Sequence, residues 1–489
     1  MTSINPIIPG FAPDPSCIKV GDWYFLVNST FHFFPGLPIY ASQDLVSWTQ
    51  IGNAINRPGA LSLAKSRTKP VTQDNGCVLL AAGGLYAPTI RFHDGTFFVD
   101  VWSNNWSDPV YFKFDGIDPS IFFDDDGKVY IHGANNVGGS SAVTNFEVDI
   151  NTGELLSPER VLWSGTGGLY PEGPHIYKKD GWYYLMISEG GTLEGHMVTI
   201  ARSKGIWGPY EECPHNPILS ARGTDEYIQH TGHCDAFQDG DGNWVGVCLG
   251  VRKDGEGRFV MGRETFLTRG NWDEDWPSFD PVKLDPTGLE PKQGYVSPTA
   301  APNVEFLYIR DYDMTRYSIL EGGALITLTP SATDLSHPEM SPTFIGRRQR
   351  LLKGESSATV KEGQDSWAGK HVKTGLACYK DEFRYARIYY DASISAVVFE
   401  LNHFLQEKMK TQTHPVKIAS TLSLKIEYTE QDYHLSFRSE QSSSGSWKTL
   451  GVVDTLDLTG SDYVGPVIGV FAVAEGPEAR VDVLDFTVN

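Results

Sequence analysis

Three carboxylates stand at matching places in a repeated pattern. Asp14 opens Asp14-Pro15-Ser16-Cys17-Ile18, Asp118 opens Asp118-Pro119-Ser120-Ile121-Phe122, and Glu172 opens Glu172-Gly173-Pro174-His175-Ile176. Two further copies, Ala87-Pro88-Thr89-Ile90 and His233-Cys234-Asp235-Ala236-Phe237, begin with a small residue and a histidine. Carboxylates drawn together cannot all ionise cheaply, so at least one holds its proton near neutrality. A protonated acid facing an ionised carboxylate is the equipment of glycoside hydrolysis. One group protonates the leaving oxygen, another activates a water or attacks directly, and a third can tune the acid.

The elements that must bring these residues together are hairpins. Each opening residue lies seven to nine positions before a turn glycine, and an aromatic or β-branched run follows: Gly21-Asp22-Trp23-Tyr24-Phe25, Gly95-Thr96-Phe97-Phe98-Val99, Gly127-Lys128-Val129-Tyr130-Ile131, Gly181-Trp182-Tyr183-Tyr184-Leu185 and Gly242-Asn243-Trp244-Val245-Gly246. Asp94, Asp126, Asp180 and Asp241 precede four of the glycines, and Asp-Gly between apolar runs signals a hairpin turn. The copies are spaced unevenly, at 73, 31, 54 and 61 residues, around a constant hairpin core. That predicts a β-propeller with variable loops, and five copies predict five blades. The first strand of each blade lines the axis, so Asp14, Ala87, Asp118, Glu172 and His233 are expected at one mouth. The rings near them in sequence, Phe31, Phe33, Tyr86, Trp102 and Tyr170, are the candidates to hold a sugar. The competing reading is a polar mouth that holds only an ion or water.

Composition narrows the partners. The chain has 489 residues, with 61 acidic against 40 basic and a net charge of -21. No cationic excess is available for phosphates or anionic membrane surfaces, so neither nucleic acid nor membrane is an expected partner. A neutral polysaccharide is indifferent to that charge. Aromatics at 12%, with 50 Gly and 29 Pro, suit short strands, tight turns and sugar stacking. Cys17, Cys77, Cys213, Cys234, Cys248 and Cys378 show no zinc spacing and no disulfide-scaffold density, which leaves one or two bridges or free thiols open. No apolar run reaches membrane-span length, and no signal peptide opens the chain. The sequons at Asn28 and Asn105 lend weak support to secretion.

The chain up to about residue 300 resembles glycoside hydrolase family 43. The resemblance is carried by Asn5-Pro6-Ile7-Ile8-Pro9-Gly10-Phe11-Ala12-Pro13-Asp14-Pro15-Ser16, Phe33-Phe34-Pro35-Gly36-Leu37-Pro38-Ile39-Tyr40, Gly83-Gly84-Leu85-Tyr86-Ala87-Pro88, Gly116-Ile117-Asp118-Pro119-Ser120, Glu172-Gly173-Pro174-His175 and Gly262-Arg263-Glu264-Thr265. It implies a five-bladed propeller of inverting enzymes, with Asp14 matching the general base, Glu172 the general acid and Asp118 the carboxylate that raises and orients the acid. Arg263 matches an arginine placed near the site. His233 matches an axial histidine beside which some members hold a calcium ion through water. No cofactor is required for the chemistry; a structural calcium on the axis is the one metal the resemblance brings in. Inversion implies that the Asp14 and Glu172 carboxyls lie roughly 6.5–9.5 Å apart.

Six prolines between residues 277 and 302 read as the exit from the propeller. The expected division is 1–305 for the propeller and 306–489 for a second domain. Alternating apolar positions such as Val397-Phe399-Leu401, Leu422-Leu424-Ile426-Tyr428 and Val467-Gly469-Phe471-Val473 predict a β-sandwich there, and the resemblance implies a jelly roll. Its expected part is to buttress the propeller and lend a loop to its rim; the alternative is a polysaccharide-binding module. The Ser-rich stretch from Ser439 to Ser446 reads as a hairpin loop. Ser29-Thr30-Phe31-His32-Phe33-Phe34 and Gly167-Gly168-Leu169-Tyr170 resemble the fungal arabinofuranosidase branch. The expected function is removal of arabinose from arabinoxylan by an extracellular enzyme. The alternatives are a β-xylosidase on xylo-oligosaccharides and, more remotely, a non-catalytic carbohydrate-binding propeller.

Overall fold

The turn glycines sit where the hairpins need a left-handed backbone. Gly21, Gly127, Gly181 and Gly242 all have positive φ, and Asp180 beside Gly181 does too, as a type I′ turn requires. They join Ser16–Val20 to Trp23–Val27, Ile117–Phe123 to Val129–Val137, Glu172–Lys179 to Trp182–Glu189, and Ile228–Gln238 to Trp244–Arg252. A computed structural model describes residues 3–72, 76, 78–93, 106–286, 288–291, 295, 297–362, 367, 371–416, 421–439, 446–475 and 479–489. The turn and second strand of the repeat's second copy, Asp94-Gly95 through Val99, lie outside the described residues. So do Trp102, Cys77, the sequon at Asn105 and most of the Ser439–Ser446 stretch.

Each of the four described hairpins is extended outward into an antiparallel sheet. The inner strands Ser16–Val20, Glu172–Lys179 and Ile228–Gln238 pack on their neighbours around a common axis, and Glu172–Lys179 also packs on Ile117–Phe123. This is a propeller, with four of its blades within the described residues. The ring is closed by the N-terminal segment. Ile8 bridges Thr265 in the last blade, and Asn5 Nδ2 donates to Leu267 O at 2.8 Å.

The second half folds as the predicted sandwich. One sheet has seven strands, from Tyr317–Leu320 to Lys448–Asp454, and the other has six, from Thr343–Arg348 to Lys408–Pro415. Val397, Leu401, Leu422, Leu424 and Ile426 face its core fully buried. The six-stranded sheet is buried on much of its other face too, where the propeller covers it, while its edge strand Lys408–Pro415 stays exposed. Tyr379, Tyr385, Tyr389, Val398 and Phe471 pack there with Phe11, Phe31 and Phe33.

A loop of the sandwich reaches the propeller's mouth. Leu80 N donates to Ser461 O at 2.8 Å, and the neighbouring Asp462 is buried between Lys380 Nζ, at 3.0 Å, and Arg384. Asp462→Ala would leave two cations buried without this partner. A loss of about 3–5 kcal/mol is expected, read as an earlier urea transition of the sandwich. An unchanged midpoint would show that the clamp contributes nothing to stability.

Five cysteines, Cys17, Cys213, Cys234, Cys248 and Cys378, are free and buried, so no bridge forms among the described residues. Asn28 is fully buried and donates to Ala12 O, Pro13 O and Thr265 Oγ1. Its sequon is therefore a coincidence of sequence, because a glycan has no room there. Among the described residues, no helix is long and apolar enough to cross a membrane.

Candidate active site

One backbone feature recurs at the opening of each copy of the repeat. Asp14, Ala87, Asp118 and His233 have φ of 52, 50, 54 and 49°, in the left-handed region. Non-glycine residues there cost roughly 1–3 kcal/mol each and cluster at functional sites. The pairing register slips at the same point, between Ile117 and Ser120, between Glu172 and His175, and between Gly232 and Asp235. Such a bulge re-aims the side chains at the strand head. In the fourth copy the left-handed residue is Gly173, at 55°, and not Glu172. The prolines agree, since Pro15, Pro88, Pro119 and Pro174 each follow the left-handed residue. The equivalence expected for Glu172 is thus off by one: it projects from one residue upstream of the ring formed by the others. Gly173 is required in its place, because a Cβ there would lie 2.8 Å from His233 Nδ1.

Asp14, Asp118, Glu172, His233 and Arg263 line one cavity of about 290 Å³. Asp14 accepts from Ser29 Oγ at 2.6 Å and from Arg263 Nη1 at 3.2 Å. Ser29 Oγ accepts in turn from Ala87 N at 2.7 Å, which ties the first mouth residue to the second. Asp118 Oδ2 accepts from Gly173 N at 2.9 Å, so the third carboxylate holds the backbone next to Glu172. Burial raises the Asp118 carboxyl above its usual range, with Asp14 adding to the effect and His233 opposing it. Burial, then the charge of Asp118, pushes Glu172 up to about 8, against the pull of Arg263. Glu172 is therefore an acid that keeps its proton at neutral pH.

His196 supports that state. It is fully buried, and burial holds its ring neutral. Its Nδ1 faces His230 O at 3.2 Å and so carries the ring proton. The bare Nε2 is left 3.6 Å from Glu172 Oε1, where it presents a lone pair to the carboxyl. Gly232 makes room for the ring, because a Cβ there would lie 2.4 Å from it.

The ring candidates divide. Phe31 and Tyr86 line the cavity, stacked with centroids 6.0 Å apart. Phe33 does not: it is fully buried against the sandwich, edge-on to Tyr379 at 6.1 Å. Packing against Phe11, His32 and Tyr379 holds Phe33 in the interface, and no face of it is free for a sugar. Tyr170 is 61% exposed and does not line the cavity; its loop borders a separate hollow that contains Leu169. Trp102 lies outside the described residues. The wall that sequence reading missed is Tyr463, from the sandwich loop. It stacks on Phe31 at 5.8 Å, and the Arg263 guanidinium lies 4.3 Å over its ring. Lys69, Thr192 and Ile117 also line the cavity. None of these, nor Ser29 and His196, belongs to the repeated motif, so periodicity could not single them out.

A propeller whose mouth gathers three carboxylates, one of them holding its proton, defines a glycoside hydrolase. The comparisons with known proteins carry this to a family. Residues 3–277 match the model of Glycosyl hydrolases family 43, and residues 299–488 match that of the Beta xylosidase C-terminal Concanavalin A-like domain. The non-reducing end alpha-L-arabinofuranosidase BoGH43B of Bacteroides ovatus is 33% identical over 99% of this chain and 93% of its own length. A xylosidase/arabinosidase of Butyrivibrio fibrisolvens is 38% identical over 57% of this chain and 56% of its own length. The solved structure of the Bacteroides ovatus xyloglucan PUL GH43B superposes with a TM-score of 0.81 at 30% identity, covering all of both chains. The chain belongs to glycoside hydrolase family 43.

Proposed function

We propose that the protein is an exo-acting α-L-arabinofuranosidase that releases arabinose side chains from arabinoxylan with inversion. The observation that carries this reading is Glu172 with its raised carboxyl in a cavity of about 290 Å³ that also holds Asp14. That volume suits one terminal sugar better than a run of backbone sugars, and Phe31, Tyr86 and Tyr463 supply its apolar wall. The attacking water gives its proton to Asp14 while its oxygen bonds to the anomeric carbon. The glycosidic C–O bond breaks on the opposite face, and the leaving oxygen takes the proton of Glu172. Asp118 keeps that proton in place through its charge and through Gly173 N. Arg263 orients Asp14. The division of 1–305 and 306–489 into propeller and sandwich fits this reading, with the sandwich supplying Tyr463 to the rim.

The second reading is a β-xylosidase, favoured by the match of residues 299–488 to the Beta xylosidase C-terminal domain. Both readings use the same carboxylates. Digestion of wheat arabinoxylan and, separately, of xylobiose separates them by the monosaccharide released. Arabinose from the polymer with xylobiose untouched is the expected result. Xylose from xylobiose would move the assignment to β-xylosidase, and no sugar from either would overturn both substrate assignments.

A further inference from the structure

Below the mouth, the axis holds a second polar layer. The residues two positions after the left-handed ones are Ser16, Thr89, Ser120, His175 and Asp235. Arg91, from the second copy, reaches into this layer. Its Nη1 donates to Asp235 Oδ2 at 2.8 Å and to Ser16 Oγ at 3.2 Å, and its Nη2 donates to Asp235 Oδ1 at 3.1 Å. Nη2 also lies 3.0 Å from His175 Nδ1, which must accept because a guanidinium offers only hydrogens. Ser16 Oγ and Tyr177 OH complete the shell of Asp235, donating at 2.6 and 2.8 Å. Asp235 is 1% exposed. One forked pair therefore joins the first, second, fourth and fifth copies of the repeat, and Ser120 Oγ, 3.0 Å from His175 Nδ1, adds the third.

A calcium ion does not fit this layer. It needs six to eight oxygen ligands. Both oxygens of Asp235 are already engaged, and a fixed positive charge stands where a second cation would have to approach. Among the described residues, no group of three or more His, Cys, Asp or Glu could hold a metal ion. At the mouth, His233 stands beside Asp118 and Gly173, and Asp118 is engaged by Gly173 N.

We propose that the Arg91 guanidinium is the resident cation of the propeller axis, a positioning residue that takes the place of a divalent ion and sets the inner strands so that Asp14, Asp118 and Glu172 meet. The catalytic half of this inference rests on the proposed function; the cation half does not. The planar fork matters, because its two terminal nitrogens reach both Asp235 oxygens, His175 and Ser16 at once, one acceptor more than an ammonium has hydrogens.

Two measurements test it. The purified wild-type chain is analysed for metal and melted with and without EDTA. No stoichiometric calcium and an unchanged melting temperature are expected. Stoichiometric calcium whose removal lowers the melting temperature would overturn the proposal, whatever the enzyme hydrolyses. In R91A, kcat on an arabinofuranoside is expected to fall about 10²-fold, as for a site misplaced by about 1 Å, with KM changing far less. Millimolar guanidinium is expected to restore part of the rate, and R91K to restore little. A folded R91A with the wild-type kcat, or one whose lost rate guanidinium leaves unchanged, would overturn it. If R91A does not fold, the metal content and EDTA melts of the wild type decide.

Discussion

Glu172→Gln is expected to slow hydrolysis of natural glycosides by about 10³-fold, within the range for losing a general acid. The reason is the proton. A sugar alkoxide is a poor leaving group and cannot depart unprotonated, whereas a nitrophenolate can. The same variant should therefore lose far less on a nitrophenyl arabinofuranoside. The pH profile carries an independent signature. With its carboxyl raised to about 8 by burial and Asp118, Glu172 is protonated below that pH and ionised above it. Wild-type activity on natural substrates should hold through neutrality and fall as pH rises through about 8. In Glu172→Gln the alkaline limb should vanish from the residual activity on the nitrophenyl substrate. Equal losses on both substrates, with the limb intact, would assign the acid elsewhere.

Asp14→Asn should show the opposite selectivity. The attacking water needs a base whatever group departs, so natural and nitrophenyl substrates should both lose about 10³–10⁴-fold in kcat. KM should change little, because the ring wall of Phe31, Tyr86 and Tyr463 is untouched. Asparagine keeps one acceptor oxygen for Arg263 and turns its amide NH2, now a donor, toward Ser29 Oγ, so the fold should survive, and an unchanged melting temperature is the control. Product anomers followed by NMR in wild type should show inversion. A retained anomer would make Asp14 a nucleophile in place of a base, and so contradict the assignment. The contrast between the two variants separates acid from base more sharply than either loss alone.

What the sequence determined by itself was whatever rests on short-range rules. Asp-Gly turns demand a left-handed backbone, so the hairpins at Gly127, Gly181 and Gly242 were legible. Period-two apolar runs such as Val397-Phe399-Leu401 can bury only one chosen face, so the sandwich strands were legible too. A recurrent strand head brought Asp14 and Asp118 to one mouth with His233, and Arg263 came from the family resemblance. Tertiary structure alone decided the rest. The register of Glu172 against Gly173 depended on which residue takes the left-handed position, and His233 makes that choice by leaving no space for a Cβ. Phe31 and Phe33 are indistinguishable by type and both pack against the sandwich; only the cavity that opens beside Phe31 and Tyr86 makes one a wall and leaves the other core. Ser29, His196 and Tyr463 reach the carboxylates from segments outside the repeat, and Tyr463 comes from the other domain, held by the buried Lys380–Asp462–Arg384 cluster. A spacing rule cannot see such residues, because packing between distant segments, and not local backbone preference, puts them there.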